Sequence, residues 1–145
     1  MRVSKSAFDR LVGYLSSRDH SVRELSTKLK RHHENTEIIE ALERADELGL
    51  LKNPSQIAQQ VAASLLRRGK GPQWIQAQLK KKGLPVVSID PDEETAKARA
   101  VVERKFAFDP PLTIEQKTKI YRYLCNRGFR PQVARAISFQ KSRAL

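Results

Sequence analysis

The chain has 145 residues, with 28 Lys and Arg against 16 Asp and Glu for a net charge of +12, 39% hydrophobic residues, 6% aromatics and one cysteine. That length suits one domain or a string of small units, and the apolar share suits a helical core of modest size. Cys125 alone excludes an internal disulfide framework, no apolar run approaches the ~18 residues of a membrane span, and Met-Arg-Val-Ser-Lys-Ser has no signal-peptide core behind it, so a soluble cytoplasmic protein is expected.

In chain order, Phe8, Leu11, Val12 and Leu15 recur at helical spacing and predict a helix over 6–16. Ser21 with Glu24 three residues on forms a capping box that opens a second helix through Leu25 and Leu29. A third starts at Asn35 or Thr36, is expected to turn Ile38, Ile39, Leu42, Ala45 and Leu48 inward, and stops at Gly49. Asn53 or Ser55 caps the next helix, with Ile57, Val61 and Leu65 inside. Gly69 and Gly71 make a turn, Pro72 opens a helix of ~11 residues with Ile75 and Leu79 on one face, and Gly83 closes it.

The stretch from Leu84 to Ile89 is too short for another helix and reads as a connector. Acids at Asp90, Asp92, Glu93 and Glu94 suit the first turn of a helix that reaches Phe106. After Asp109-Pro110-Pro111, Thr113 caps a helix with Ile114, Lys117, Ile120, Tyr121 and Leu124 on one face. A last helix begins after Pro131 with Val133, Ala134 and Ile137, and the tail from Gln140 is expected to fray.

Three of these helices share a pattern: Leu25, Leu29 and His32; Ile75, Leu79, Lys82-Gly83-Leu84; Ile120, Leu124, Arg127-Gly128-Phe129. The offsets are 50 and 45 residues, and the five-position match of the second and third copies indicates a tandem helical repeat. The units are 1–50, with three helices, 51–89, with its third helix missing or shortened, and 90–145.

Charge is distributed unevenly. Residues 1–47 hold nine basic and nine acidic side chains and 90–115 hold four and seven, whereas 48–89 have seven basic and 116–145 eight basic, neither with an acid. Two acid-free blocks point to phosphates or an acidic protein as partner. The candidate contacts are Arg67, Arg68, Lys70, Lys80, Lys81 and Lys82 in one patch, and Lys117, Lys119, Arg122, Arg127, Arg130 and Arg135 in another.

No catalytic set emerges. His20, His32, His33 and Glu34 lack the second cluster a tetrahedral metal site needs, and Cys125 has no paired histidine. Gly69-Lys70-Gly71 lacks the strand and the Lys-Ser/Thr ending of a phosphate-binding loop. Trp74 and Tyr123 are read first as core or boundary residues, with Tyr123 off the Ile120/Leu124 face and able to stack on a base or a partner. The reading is a binding protein, not an enzyme, with no cofactor and no metal.

Four stretches carry a resemblance: Ser17-Arg18-Asp19-His20-Ser21 followed by Glu24-Leu25 and Lys28-Leu29; Leu48-Gly49-Leu50-Leu51; Arg67, Gly69, Gly71-Pro72, Ile75, Leu79 and Lys82-Gly83; and Lys119-Ile120, Tyr123-Leu124 and Arg127-Gly128-Phe129. Together they resemble the RecX regulatory proteins of bacteria over nearly the whole chain. The resemblance implies an all-α fold of tandem three-helix repeats in an extended, curved rod. It also implies binding to the RecA filament on single-stranded DNA, with restraint of ATP hydrolysis, strand exchange and repressor cleavage. Two departures from the family pattern are the missing helix after Gly83 and Trp74, where a polar or basic residue is expected. On this reading the protein is a monomer that binds single-stranded DNA weakly by itself and no membrane. From the residues alone, two other classes stay open: a helix-turn-helix transcription regulator built on Ser21 to Leu48, and a basic RNA-associated protein.

Overall fold

The computed structural model describes residues 4–139. Among these, all regular structure is helical: α1 (Ala7–Ser17), α2 (Val22–Leu29), α3 (Asn35–Glu47), α4 (Pro54–Arg67), α5 (Pro72–Lys81), α6 (Pro91–Lys105), α7 (Ile114–Asn126) and α8 (Pro131–Phe139). Local chemistry sets the starts. Ser6 caps α1 through the Asp9 amide, Ser21 with Glu24 and Thr113 with Gln116 form complete capping boxes, and the Asn53 side chain accepts from the Ser55 amide. The expected fraying from Gln140 lies outside the described residues.

The chain divides into two compact units, one formed by Met1–Gln60 and Leu79–Pro85, the other by Val61–Gln78 and Val86–Leu145, so the boundaries fall inside α4 and α5. In the first unit, α1, α2 and α3 close over Leu11, Leu25, Leu29, Ile38, Ala41 and Ala45, with Phe8, Tyr14, Leu15, Leu42 and Leu51 packed around them. In the second, α6, α7 and α8 enclose Ala98, Ile120, Leu124, Phe129, Val133 and Ala134. Cys125 is half-buried against this cluster.

Three residues read as inward are not. Ile39 is 54% exposed, Leu48 58% and Ile114 77%. Ile38, Leu42 and Ala45 follow the i, i+4, i+7 line that α3 turns to its core, and Ile39 sits ~100° away from it. Ile114 is the first residue of α7, ahead of the turn that meets the core. In α4 the buried line is Ile57, Ala58, Ala62 and Leu65, with Val61 at its margin.

The connector after α5 forms no helix, and Leu84 and Val87 are its buried anchors. Gln76 holds Val87 at both backbone groups, accepting from its amide and donating to its carbonyl.

Candidate functional site

The repeated motif at the ends of α5 and α7 is a helix stop before it is anything else. Gly83 and Gly128 take φ of 71° and 95°, which lets the Leu84 amide return to the Leu79 carbonyl at 2.9 Å and the Phe129 amide to the Leu124 carbonyl at 3.1 Å. Leu84 and Phe129 are buried beside them. This is the glycine cap with its apolar closing contact, and it accounts for the shared Leu, Gly and apolar positions.

Each stop is then docked against the start of another helix. Within the first unit, Ser21 Oγ donates to the Lys82 carbonyl, Arg23 to the Lys80 carbonyl at 3.1 Å, and Lys82 Nζ lies 3.1 Å from Glu24. A Cβ on Gly83 would come within 2.8 Å of the Arg23 side chain. Within the second unit, the Gly71 amide donates to the Arg127 carbonyl at 2.7 Å and the Gln73 amide to the Gly128 carbonyl at 2.9 Å. A Cβ on Gly71 would stand 2.2 Å from the Phe129 amide nitrogen. The two-glycine turn is thus a socket for backbone, and its second glycine is required by close approach.

Charge at the first joint is linked to pH. His20 is 3% exposed; a neutral ring donates from Nδ1 to the Arg18 carbonyl at 3.0 Å and accepts at Nε2 from Lys28 at 2.7 Å. Burial, with the nearby Arg18 and Lys28 charges, lowers its pKa below the ordinary 6.5 despite the Arg18 carbonyl. Burial pushes the Glu24 carboxyl up, but hydrogen bonds from Arg18, the Ser21 amide and Lys82 outweigh it and bring it down from 4.5 to about 2.

Both depressed groups stabilise the fold above their unfolded pKa and lose that contribution as pH falls. Stability is expected to decline first below 6.5 as His20 protonates, then between 4.5 and 2 as Glu24 does. Urea titrations should show Glu24→Gln destabilised by about 2 kcal/mol at neutral pH, after allowance for the exposed Arg18 partner, with the gap to the unmodified protein closing towards pH 2. A gap that stays constant across that range contradicts the assignment.

The second unit holds a strongly basic concavity. A cleft of about 300 Å³ is lined by Arg67, Arg68 and Gly69 from the end of α4, Lys97, Val101, Arg104 and Lys105 from α6, and Tyr123 and Arg127 from α7. Six cations line it and no carboxylate does. Arg127 is fixed there by hydrogen bonds from Nε to the Gly69 carbonyl at 2.8 Å and from Nη2 to the Arg68 carbonyl at 3.1 Å. Its guanidinium lies 5.5 Å from the Tyr123 ring centre, and Tyr123 stands edge-on to Phe106. The carbonyl end of α4 orients this cation without neutralising it.

The predicted contact residues are thus distributed by the fold. Arg67, Arg68 and Arg127 meet in the cleft. Lys70 sits 4.6 Å over the half-buried Trp74 ring. Lys80, Lys81 and Lys82 fall in the first unit, the first two exposed and Lys82 paired with Glu24. Lys119, Arg122 and Arg135 are exposed and Lys117 is half-buried. Arg130 is committed elsewhere: its amide at 2.9 Å, its Nε at 2.7 Å and its Nη2 all donate to Glu94, which is fully buried. That pairing raises the Arg130 pKa.

The family profile described as RecX, first three-helix domain, matches residues 7–44, and that described as RecX, third three-helix domain, matches residues 92–137. A regulatory protein RecX from Chlorobaculum tepidum is 37% identical over 130 residues, covering 86% of this chain and 81% of that protein.

The chain belongs to the RecX family.

Another RecX, from Halorhodospira halophila, is 33% identical over 92% of this chain and 86% of its own. The fold agrees with the crystal structure of RecX from Lactobacillus salivarius, at a TM-score of 0.75 and 20% identity over 90% of this chain and 91% of that one. The 7–44 match covers α1, α2 and α3 up to Arg44, and the 92–137 match covers α6 from Asp92, α7 and α8 up to Ile137. Gly71, Gly83 and three of the nine cleft-lining residues, Arg67, Arg68 and Gly69, lie between them in sequence.

Sequence reasoning missed Lys97, Arg104 and Lys105, because 90–115 is acidic on balance. A signal was available. Lys97, Val101, Arg104 and Lys105 follow i, i+4, i+7, i+8 along α6, a basic face, while three of its four acids crowd its first turn.

Proposed function

We propose that this chain regulates the RecA recombinase by binding the RecA filament on single-stranded DNA, restraining its ATP hydrolysis, strand exchange and coprotease activity without catalysing a reaction itself. Membership of the RecX family carries the reading. The charge distribution supports it, since the net +12 comes from two acid-free blocks and a filament offers both protein and phosphates to meet them. The working unit is a monomer of three repeats, 1–50, 51–89 and 90–145.

The contacts are drawn from Arg67, Arg68, Lys70, Lys80, Lys81, Lys117, Lys119, Arg122, Arg127 and Arg135. Lys82 and Arg130 have first calls on Glu24 and Glu94. Among the exposed cations, Lys80 and Lys81 are bare charges on the last turn of α5, suited to an acidic protein surface.

Capture on immobilised RecA filaments, formed with ATP and single-stranded DNA, tests the reading, alongside RecA's DNA-dependent ATP hydrolysis. The double variant Lys80→Glu, Lys81→Glu is expected to lose most inhibition, while Lys5→Glu, Arg31→Glu, with the same change in net charge, keeps it. Equal loss from both pairs would show that total charge alone acts. Absence of capture for the unmodified protein overturns the regulatory role.

A further inference from the structure

We infer that the cleft between the end of α4, α6 and α7 is a binding site for the phosphodiester backbone of single-stranded nucleic acid, with Arg127 as its fixed anchor. The assignment deepens the proposed role, and its place in a filament rests on that reading. Binding of a strand by the protein alone does not.

Six cations around about 300 Å³ repel one another, and none of Arg67, Arg68, Lys97, Arg104, Lys105 and Arg127 has a carboxylate within salt-bridge distance among the described residues. Of the acids on the lining elements, Glu93 shares an adjoining surface groove with Arg67 and Lys97. Structural arginines in this protein are treated differently: Arg130 is given the buried Glu94 and Arg18 is given Glu24. A cluster that the fold leaves uncompensated is one whose counter-charge arrives from outside.

The chemistry of that counter-charge follows from the lining. Arginines at the rim and Arg127 at the back offer forked donors that match phosphate oxygens. Val101 and Tyr123 give an apolar wall against which a sugar or base can lie. The volume is at the small end for ligand sites, enough for about one nucleotide unit. A flexible single strand can place a phosphate inside such a concavity, whereas duplex phosphates on a convex cylinder reach only its rim. Arg127 needs no rearrangement to take part, because the Arg68 and Gly69 carbonyls already hold it in place.

The test is fluorescence anisotropy of labelled oligothymidylate with the full chain alone, across a salt series. Arg67→Gln, Arg104→Gln, Lys105→Gln removes three charges at exposed positions, and Lys5→Gln, Lys30→Gln, Arg31→Gln removes three exposed charges from the first unit. The cleft variant is expected to lower the slope of log affinity against log salt by about 2 and to weaken binding about a hundredfold near 0.1 M salt. The control set should leave both nearly unchanged. A thermal melt at low salt should show the cleft variant at least as stable as the unmodified chain, since three mutually repelling charges are gone.

Equal losses from the two sets overturn the proposal in favour of overall charge. Equal competition by polyglutamate overturns it in favour of an acidic protein site, and equal affinity for duplex overturns the preference for a single strand. RecA is absent from this measurement, so an unchanged slope in the cleft variant defeats the cleft, while failed capture on filaments defeats the regulatory reading.

Discussion

Replacing Arg130 with Ala is expected to destabilise the protein by about 3 kcal/mol, far more than the loss of one surface charge. The reason lies in its partner. Glu94 is completely buried and is held by three donors, two on the Arg130 side chain and one on its backbone. Removing the guanidinium leaves a buried carboxylate with a single amide donor, and breaking such a pair costs roughly 3–5 kcal/mol. The lower end applies because the Arg130 side chain is itself 35% exposed, so water can reach part of the gap. Arg122→Ala, which removes an exposed cation from α7, should stay within about 0.5 kcal/mol.

Urea unfolding of these two variants and of Arg130→Met, Glu94→Leu decides the matter. The double replacement should recover most of the loss, since an apolar pair removes the unpaired charge. If Arg130→Ala instead keeps its stability and loses DNA affinity as an exposed contact residue does, the pair is not structural.

The second large effect belongs to the repeat's apolar positions. Leu124 is 0% and Leu79 1% exposed, and each also supplies the carbonyl that closes its helix stop. Truncation to Ala keeps that carbonyl but leaves a cavity, at a cost of about 2–5 kcal/mol. Lys81→Ala, at the last residue of α5 and exposed, should change stability by less than about 0.5 kcal/mol. Denaturation midpoints that rank Lys81→Ala with the two leucines would refute the placement of the helix faces.

Helix locations were legible because their signals are local. Ser21 and Glu24, Thr113, Pro72, Pro131 and the glycines after Leu48 and Lys82 each act within a few residues of where they stand. Facing was less legible. Ile39, Leu48 and Ile114 satisfy an apolar count, yet burial depends on which side a neighbouring helix occupies, and no local rule supplies that.

For the site, the acid-free blocks were visible as sequence, but their sorting into roles was not. Lys82 and Arg130 look like their neighbours in composition; only the positions of Glu24 and Glu94, 58 and 36 residues away, separate them. Lys97, Arg104 and Lys105 were hidden for the opposite reason, since averaging charge over a segment erases a basic face on an acidic helix.

The sequence by itself determined that this chain is helical, where its helices start and stop, that it repeats, and which family it resembles, because caps, periodicity and motif spacing are encoded within short stretches. Tertiary structure alone decided that Gly71 is a socket for backbone, that Glu94 is buried under Arg130, and that α4, α6 and α7 pool their cations in one cleft. Those facts depend on close approach between residues far apart in the chain, where a sub-ångström steric limit or a desolvated charge is set by the partner surface and by nothing in the local sequence.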